Sequence, residues 1–190
     1  MQTQGAQKSK NKITRRNLVA QMLFSLSSHL RLRTINRPNA DGSSSPYLER
    51  YCIARSRFLT IYLHRYVDKD QDTDVHDHPW PFLSLVLCGA YEEVRLVKMN
   101  RTSRWIRWFN VVGSNTHHLV RQAMPETWTL LVHGPRTVVN GKAKHFGFVG
   151  EISEGQANYR PGLPTDPNWH RTNPRGGKAQ RVPFLLSASR

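Results

Sequence analysis

Between residues 58 and 149 the chain is built of short runs in which apolar and polar side chains alternate, the period of a strand with one covered face. The pattern is strongest where Leu59, Ile61 and Leu63 alternate with Thr60, Tyr62 and His64, which predicts a strand over 58–66. Further strands are predicted over 82–87, 91–97, 105–112, 118–121, 127–133 and 145–149, in a β region that opens near Tyr47. Gly89-Ala90 reads as a tight hairpin between two of them, and Gly134-Pro135 ends another. Ahead of this region the spacing changes. Leu18, Val19, Met22, Leu23, Leu26 and Leu30 recur every three or four residues, predicting an amphipathic helix over 16–30 that packs on the outside of a sheet. Residues 1–13 are polar and basic and read as disordered, and the turn formers of 36–46 read as a linker. After Gly155, Pro161, Pro164, Pro167, Pro174 and the pair Gly176-Gly177 predict an extended tail. The expectation is an all-β sandwich or barrel, with an N-terminal extension over 1–46, a barrel domain over 47–150 and a tail over 151–190.

Length allows one core and not two, since the chain has 190 residues. The formal net charge of +15 sharpens the division into parts. Residues 1–40 hold eight Lys or Arg and no acid, residues 155–190 hold six against Asp166 alone, and the middle is nearly balanced. Basic ends of this kind attract polyanions without sequence preference, so nucleic acid, an acidic partner or an anionic membrane surface are candidate targets of the termini. Only Cys52 and Cys88 are present, with no Cys-x-x-Cys, which fits a reducing, cytoplasmic compartment. The apolar stretch 18–26 contains Gln21 and Ser25 and is too short to span a bilayer.

The chemistry lies in Val75-His76-Asp77-His78-Pro79-Trp80-Pro81-Phe82. Side chains two apart on an extended backbone point the same way, so His76 and His78 can converge on one ion. A third imidazole is available from His117 or His118, which face opposite ways on a strand, so one is a ligand and the other is not. Three imidazoles with open positions make a catalytic type of site for iron, zinc, nickel or manganese. Asp68 to Asp74 superficially suggests a calcium loop but lacks the glycine and the final acid that such a loop needs.

These residues resemble the first motif of the cupin superfamily, His-x-His followed by Glu and then Gly, with Gly89 in the closing position and Phe82 where the Glu would stand. Val112-Gly113-Ser114-Asn115-Thr116-His117 resembles the second motif. A narrower likeness is to small cupin-like proteins of phages and bacteria that are compared with cysteine dioxygenase. It is carried by Tyr62-Leu63-His64-Arg65, the His76 block, Gly89-Ala90-Tyr91-Glu92-Glu93, Trp128-Thr129-Leu130, Gly134-Pro135-Arg136 and Phe146-Gly147-Phe148. The resemblance covers about residues 47–150 and implies a cupin-like double-stranded β-helix with an N-terminal helix and extended basic termini. It favours His117 as the third ligand and, with Phe82 replacing the acid, implies a three-histidine centre like that of thiol dioxygenases, with Fe(II) ahead of Zn, Ni or Mn. A dioxygenase acting on a small molecule is the function implied, in a chain that could form a homo-oligomer. The alternative is a non-catalytic cupin of phage or bacterial origin whose basic tails bind nucleic acid or a partner protein. Around the metal, Trp80 and Ser84 are candidate substrate contacts by strand parity, and Arg65 and Arg136 are candidates to hold a carboxylate with paired hydrogen bonds. Asp74 or Asp77 could orient a ligand imidazole, and Tyr62, Tyr66 and Tyr91 are candidate proton donors.

Overall fold

The computed structural model describes residues 15–39, 41–68, 75–98, 100–153, 156–161 and 166–185. Strands are numbered in chain order: β1 Arg31–Pro38, β2 Ser44–Arg55, β3 Thr60–Tyr66, β4 Val75–His76, β5 Phe82–Cys88, β6 Tyr91–Val97, β7 Asn100–Ile106, β8 Phe109–Val112, β9 His118–Ala123, β10 Thr127–His133, β11 Val138–Val139, β12 Lys142–Ala143, β13 Gly147–Ser153 and β14 Gln156–Pro161. One six-stranded sheet runs β1-β2-β3-β10-β5-β8 and the other β14-β13-β4-β9-β6-β7, all pairs antiparallel, while β11 and β12 form a separate hairpin. From β3 to β10 the chain crosses repeatedly between the sheets. The resulting orders β3-β10-β5-β8 and β4-β9-β6-β7 are those of an eight-stranded jelly roll, and β1, β2, β13 and β14 widen it. The sheets stay open at their edges, so the molecule is a sandwich and not a closed barrel.

Alternation assigns each strand two faces. On the first sheet, Phe82, Ser84, Tyr62, His64, Leu131 and His133 turn inward and, with Val112 and Trp169, make the interior. On its outer face Leu63, Cys88, Trp128, Tyr51 and Leu32 gather under α1 Arg15–Ser27. Val75, Val94, Leu119 and Val149 form a cluster on the outer face of the second sheet. The interior between the sheets is therefore the part free to carry polar chemistry.

Several sequence expectations change here. The helix is found, but Ala20, Leu23, Phe24 and Ser27 face the sheet, while Leu18, Val19, Met22 and Leu26 are exposed. Residues 31–38, partly expected as linker, form β1, because their alternation pairs residue by residue with β2 from Arg31↔Cys52 onward. The predicted strand over 105–112 breaks at Arg107-Trp108 into β7 and β8, which belong to different sheets. Gly89-Ala90 is likewise a corner between sheets and not a hairpin, since β5 pairs with β10 and β8 while β6 pairs with β7 and β9. Residues expected as tail lengthen the strand predicted over 145–149 into β13 and form β14, the short helix α2 Trp169–Thr172 and a 3₁₀ turn Gly176–Lys178. Chain 174–176 is stitched to the first sheet through Leu32 N–H to Pro174 O at 3.0 Å and Gly176 N–H to Leu30 O at 2.8 Å. Residues 1–14 and 186–190, with Lys8, Lys10, Lys12 and Arg190, lie outside the described residues.

Candidate metal centre

The site begins with β4, which is only two residues long but sits at the middle of its sheet. His76 is paired with His118 on one side and with Phe148 on the other. Val75 points out into the apolar cluster it shares with Val94, Leu119 and Val149, and this fixes His76 inward. The extended backbone carries the same parity on to His78. On β9, Leu119 is buried in that same outer cluster, so His118 turns inward opposite His76. One nitrogen from each of His76, His78 and His118 lies within 4.8 Å of the other two. His78 Nε2 and His118 Nε2 are 3.0 Å apart. Two nitrogens held at about 2.1 Å from one ion at a right angle stand about 3.0 Å apart, so this spacing suits a shared cation.

The tautomer of His118 is fixed by Glu93. Its carboxylate accepts from His118 Nδ1–H at 2.9 Å, which leaves the Nε2 lone pair for the cluster. Burial pushes the Glu93 carboxyl up, but hydrogen bonds from His118 and Asn110 and the guanidinium of Arg95 outweigh it and hold it at about 2. Arg104 Nε adds a contact at 3.0 Å. Burial lowers the rings of His76 and His78 well below the usual imidazole range. Neighbouring imidazoles and then Arg50 lower them further. Both rings are neutral, the form that coordinates metal. His76 Nδ1 is buried with no hydrogen-bond partner among the described residues. An orphaned buried nitrogen is expensive unless something ligates it. Phe82, Phe146 and Phe148 complete an aromatic surround, with ring centroids 4.9 Å from His78 for Phe82 and 5.1 and 5.7 Å from His76 for the other two.

His117, expected as the third ligand, is not in the cluster. It is 30 % exposed, and its Nε2 lies 3.9 Å from Asp77 Oδ2. The pairing that begins at His118 sets the parity of β9, and His117 precedes it. Asp77 serves the architecture: it accepts from Gly147 N–H at 3.1 Å and pairs with Lys144 Nζ at 2.8 Å. Asp74 lies outside the described residues. Arg65 is on the outer face of the first sheet, where Glu126 and Glu49 pair with it at 2.5 and 3.1 Å, so it is unavailable to a substrate in the interior. Arg136 is exposed on the surface. Trp80 stacks on His133 at 4.0 Å, and Ser84 is buried on the inner face of β5 opposite Asn110. Of the candidate tyrosines, Tyr91 accepts from Asn110 at 3.2 Å, Tyr66 stacks on Tyr91, and Tyr62 stacks on His64. A groove of about 470 Å³ lined by Thr34, Glu49, Arg181 and Pro183 lies on the outer face and not at the histidines.

Two interior residues were not singled out from sequence. Glu93 alternates correctly for an inward side chain beside Tyr91 and Arg95, a signal that a strand reading could have used. Arg50 had no local signal. Its Nε–H donates to His64 Nε2 at 2.9 Å, and its guanidinium lies 5.1 Å from the centre of the Tyr62 ring.

No protein-family model matches the sequence, and no curated protein matches it. Among solved structures, KdgF from Halomonas sp. is similar at 17% identity and a TM-score of 0.39, covering 48% of this chain and 81% of its own. Fe(II)-bound HppE in complex with a substrate is similar at 15% identity and a TM-score of 0.44, covering 57% of each chain. A mutant of Bacillus subtilis oxalate decarboxylase OxdC is similar at 15% identity and a TM-score of 0.39, covering 56% of this chain and 29% of its own. The cupin fold is read from the chain's own strand order together with the inward histidines of β4 and β9. Among the described residues no helix is long and apolar enough to cross a membrane.

Proposed function

We propose that this cupin-fold chain is a metalloprotein in which His76, His78 and His118 hold one divalent cation, Fe(II) before Zn, Ni or Mn, and that it oxidises a small molecule with dioxygen. The observation that carries the reading is the convergence of three imidazole nitrogens within 4.8 Å, one of the rings bearing an orphaned buried Nδ1. An all-imidazole set of neutral donors suits iron, zinc and nickel, and it leaves coordination positions open for substrate and dioxygen. Bound there, Fe(II) would supply Lewis acidity and the electron steps that dioxygen requires. The chain's own part is to hold the donors. Glu93 keeps His118 in the tautomer that presents Nε2, and burial keeps His76 and His78 unprotonated. Phe82, Phe146 and Phe148 exclude water from the cluster and strengthen every polar contact made inside it.

Metal analysis of the purified full chain tests the first half. One equivalent of metal is expected, lost in His76→Ala, His78→Ala and His118→Ala and kept in His117→Ala. Retention by the first three, or loss in His117→Ala alone, rejects the assignment. Oxygen consumption by the Fe(II)-loaded chain over a panel of thiols and small organic acids tests the second half. A chain that binds zinc but shows no uptake with iron overturns the oxidase reading and leaves the metal site standing.

A further inference from the structure

Cross-strand register puts Arg33, Arg50 and His64 side by side on the inner face of the first sheet: Arg33 pairs with Arg50 in β1–β2, and Arg50 with His64 in β2–β3. The next strand in the row contributes the buried Thr129. This row faces the same interior into which the histidines of β4 and β9 point. Three other arginines have acids: Arg65 has Glu49 and Glu126, Arg95 has Glu93, and Arg37 has Asp68, while Arg31 and Arg181 donate to backbone carbonyls. Arg33 and Arg50 have no carboxylate within ion-pair distance among the described residues. Burial is the main influence on both guanidiniums and lowers them; Asp166 acts on Arg33 only from beyond ion-pair distance, and no acid acts on Arg50. Placing a cation without a counterion between two sheets is costly, and the cost is tolerated where an anion is to be bound.

The single bond that Arg50 makes also sets its orientation. His64 accepts from Arg50 Nε–H at Nε2, so His64 is neutral. With Nε engaged and the Tyr62 ring close to one side, the two terminal nitrogens form a fork with no hydrogen-bond acceptor among the described residues. Such a fork matches two oxygens of a carboxylate, phosphate or phosphonate. Arg50 shares this inner face with His64 and Phe82, and the Phe82 ring centre is 4.9 Å from that of His78.

We propose that Arg50, positioned by His64 and supported by Arg33, is an oxyanion-binding site facing the three histidines, and that the small molecule handled there carries a carboxylate or a phosphoryl-type group. The substrate-class part of this inference rests on the metal-site reading; the oxyanion site itself does not. An anion seated on Arg50 would present the rest of its skeleton towards His76, His78 and His118, with Phe82 as the apolar wall.

The test is calorimetric titration of the full chain, metal-free and zinc-loaded, with inorganic phosphate and with acetate at constant ionic strength. Saturable binding of at least one anion is expected, weakened about tenfold or more in Arg50→Met, less in Arg33→Met and not in Arg136→Met. Phosphate or acetate as the tighter probe identifies the phosphoryl or the carboxylate source. Arg50→Lys keeps the charge and loses the fork, so a fall in affinity is expected there too, and this variant decides the matter where Arg50→Met fails to fold. Wild-type affinity in Arg50→Lys and in a folded Arg50→Met, or no saturable binding by the wild type, overturns the proposal. Metal stoichiometry is measured on the same samples. Anion binding without metal binding removes the metal reading and keeps the Arg50 site, whereas metal binding without anion binding does the reverse.

Discussion

Glu93 is a carboxylate with four protein donors, and only one of them, His118, belongs to the histidine cluster. Glu93→Gln keeps the shape and an acceptor oxygen but removes the charge that favours the Nδ1–H form of His118. Metal affinity should fall by about 10–100-fold with the fold retained. Unchanged affinity by competition against a chelator would show that His118 needs no such partner. His133 offers a second test, of stability, at a ring that neither belongs to the cluster nor touches it. Burial lowers it to about 4, from the ordinary 6.5, against a hydrogen bond to Gly134 O that favours the charged form. Between these values the unfolded chain takes up a proton that the folded chain refuses. The contribution of His133 is therefore complete above about pH 6.5 and is lost as pH falls towards 4. It amounts to at most about 3 kcal/mol. In the metal-free chain, His133→Gln should reduce the proton uptake linked to unfolding by up to about one in this window. An unaltered slope of stability against pH would reject it. At this scale the shared direction of His76 and His78 was legible in the sequence, because their parity is local. His118 against His117 required knowing where β9 begins to pair. Arg50 was hidden because His64 and Tyr62 reach it only through strand pairing.

Strand existence was legible wherever alternation exposed one face to a covering layer, as in β3, β6 and β10, because that period is written in consecutive residues. The pairing of strands was not. Residues 105–112 read as one strand, yet the chain turns at Arg107-Trp108 from one sheet to the other, and nothing in the apolar pattern of Trp105 to Val112 marks the crossing. Gly89 illustrates the same limit. Its type announced a turn, but a hairpin and an inter-sheet corner both use a residue at positive φ. Here φ is 82°, and a side chain would overlap Thr127. The Thr127 hydroxyl is already committed, accepting from Ala90 N–H at 3.2 Å and donating to Met124 O at 2.7 Å. Gly89→Ala should therefore cost about 1–2 kcal/mol from backbone strain alone, and more from the overlap. An unfolding free energy from urea titration lowered by less than half of that would mean that the corner relaxes without strain.

Over the whole molecule, the carboxy-terminal chain closes the outer layer through a buried ion network added to the packing of Ala179 and Phe184. Its Pro/Gly-rich composition gave no sign of this, since the partners are the backbone of 182–185 and acids more than fifty residues away. Arg65, 1 % exposed, pairs with Glu49 and Glu126 and donates to Val182 O at 2.7 Å and Pro183 O at 3.0 Å. The same two acids accept from Val182 N–H and Leu185 N–H at 2.8 and 3.0 Å. Arg181 lies 3.5 Å over the Phe24 ring and donates to Ser27 and Tyr51, tying α1 to the same knot. Replacing one member of a buried network leaves the others charged and unpaired, which costs about 3–5 kcal/mol. Arg65→Met should lower stability by that amount and open residues 181–185 to proteolysis. The histidine cluster is assembled by β4, β9 and Glu93 on the other sheet, so the folded fraction should bind metal as the wild type does. If Arg65→Met instead abolished metal uptake while denaturation midpoints barely moved, Arg65 would belong to the site and not to this clamp.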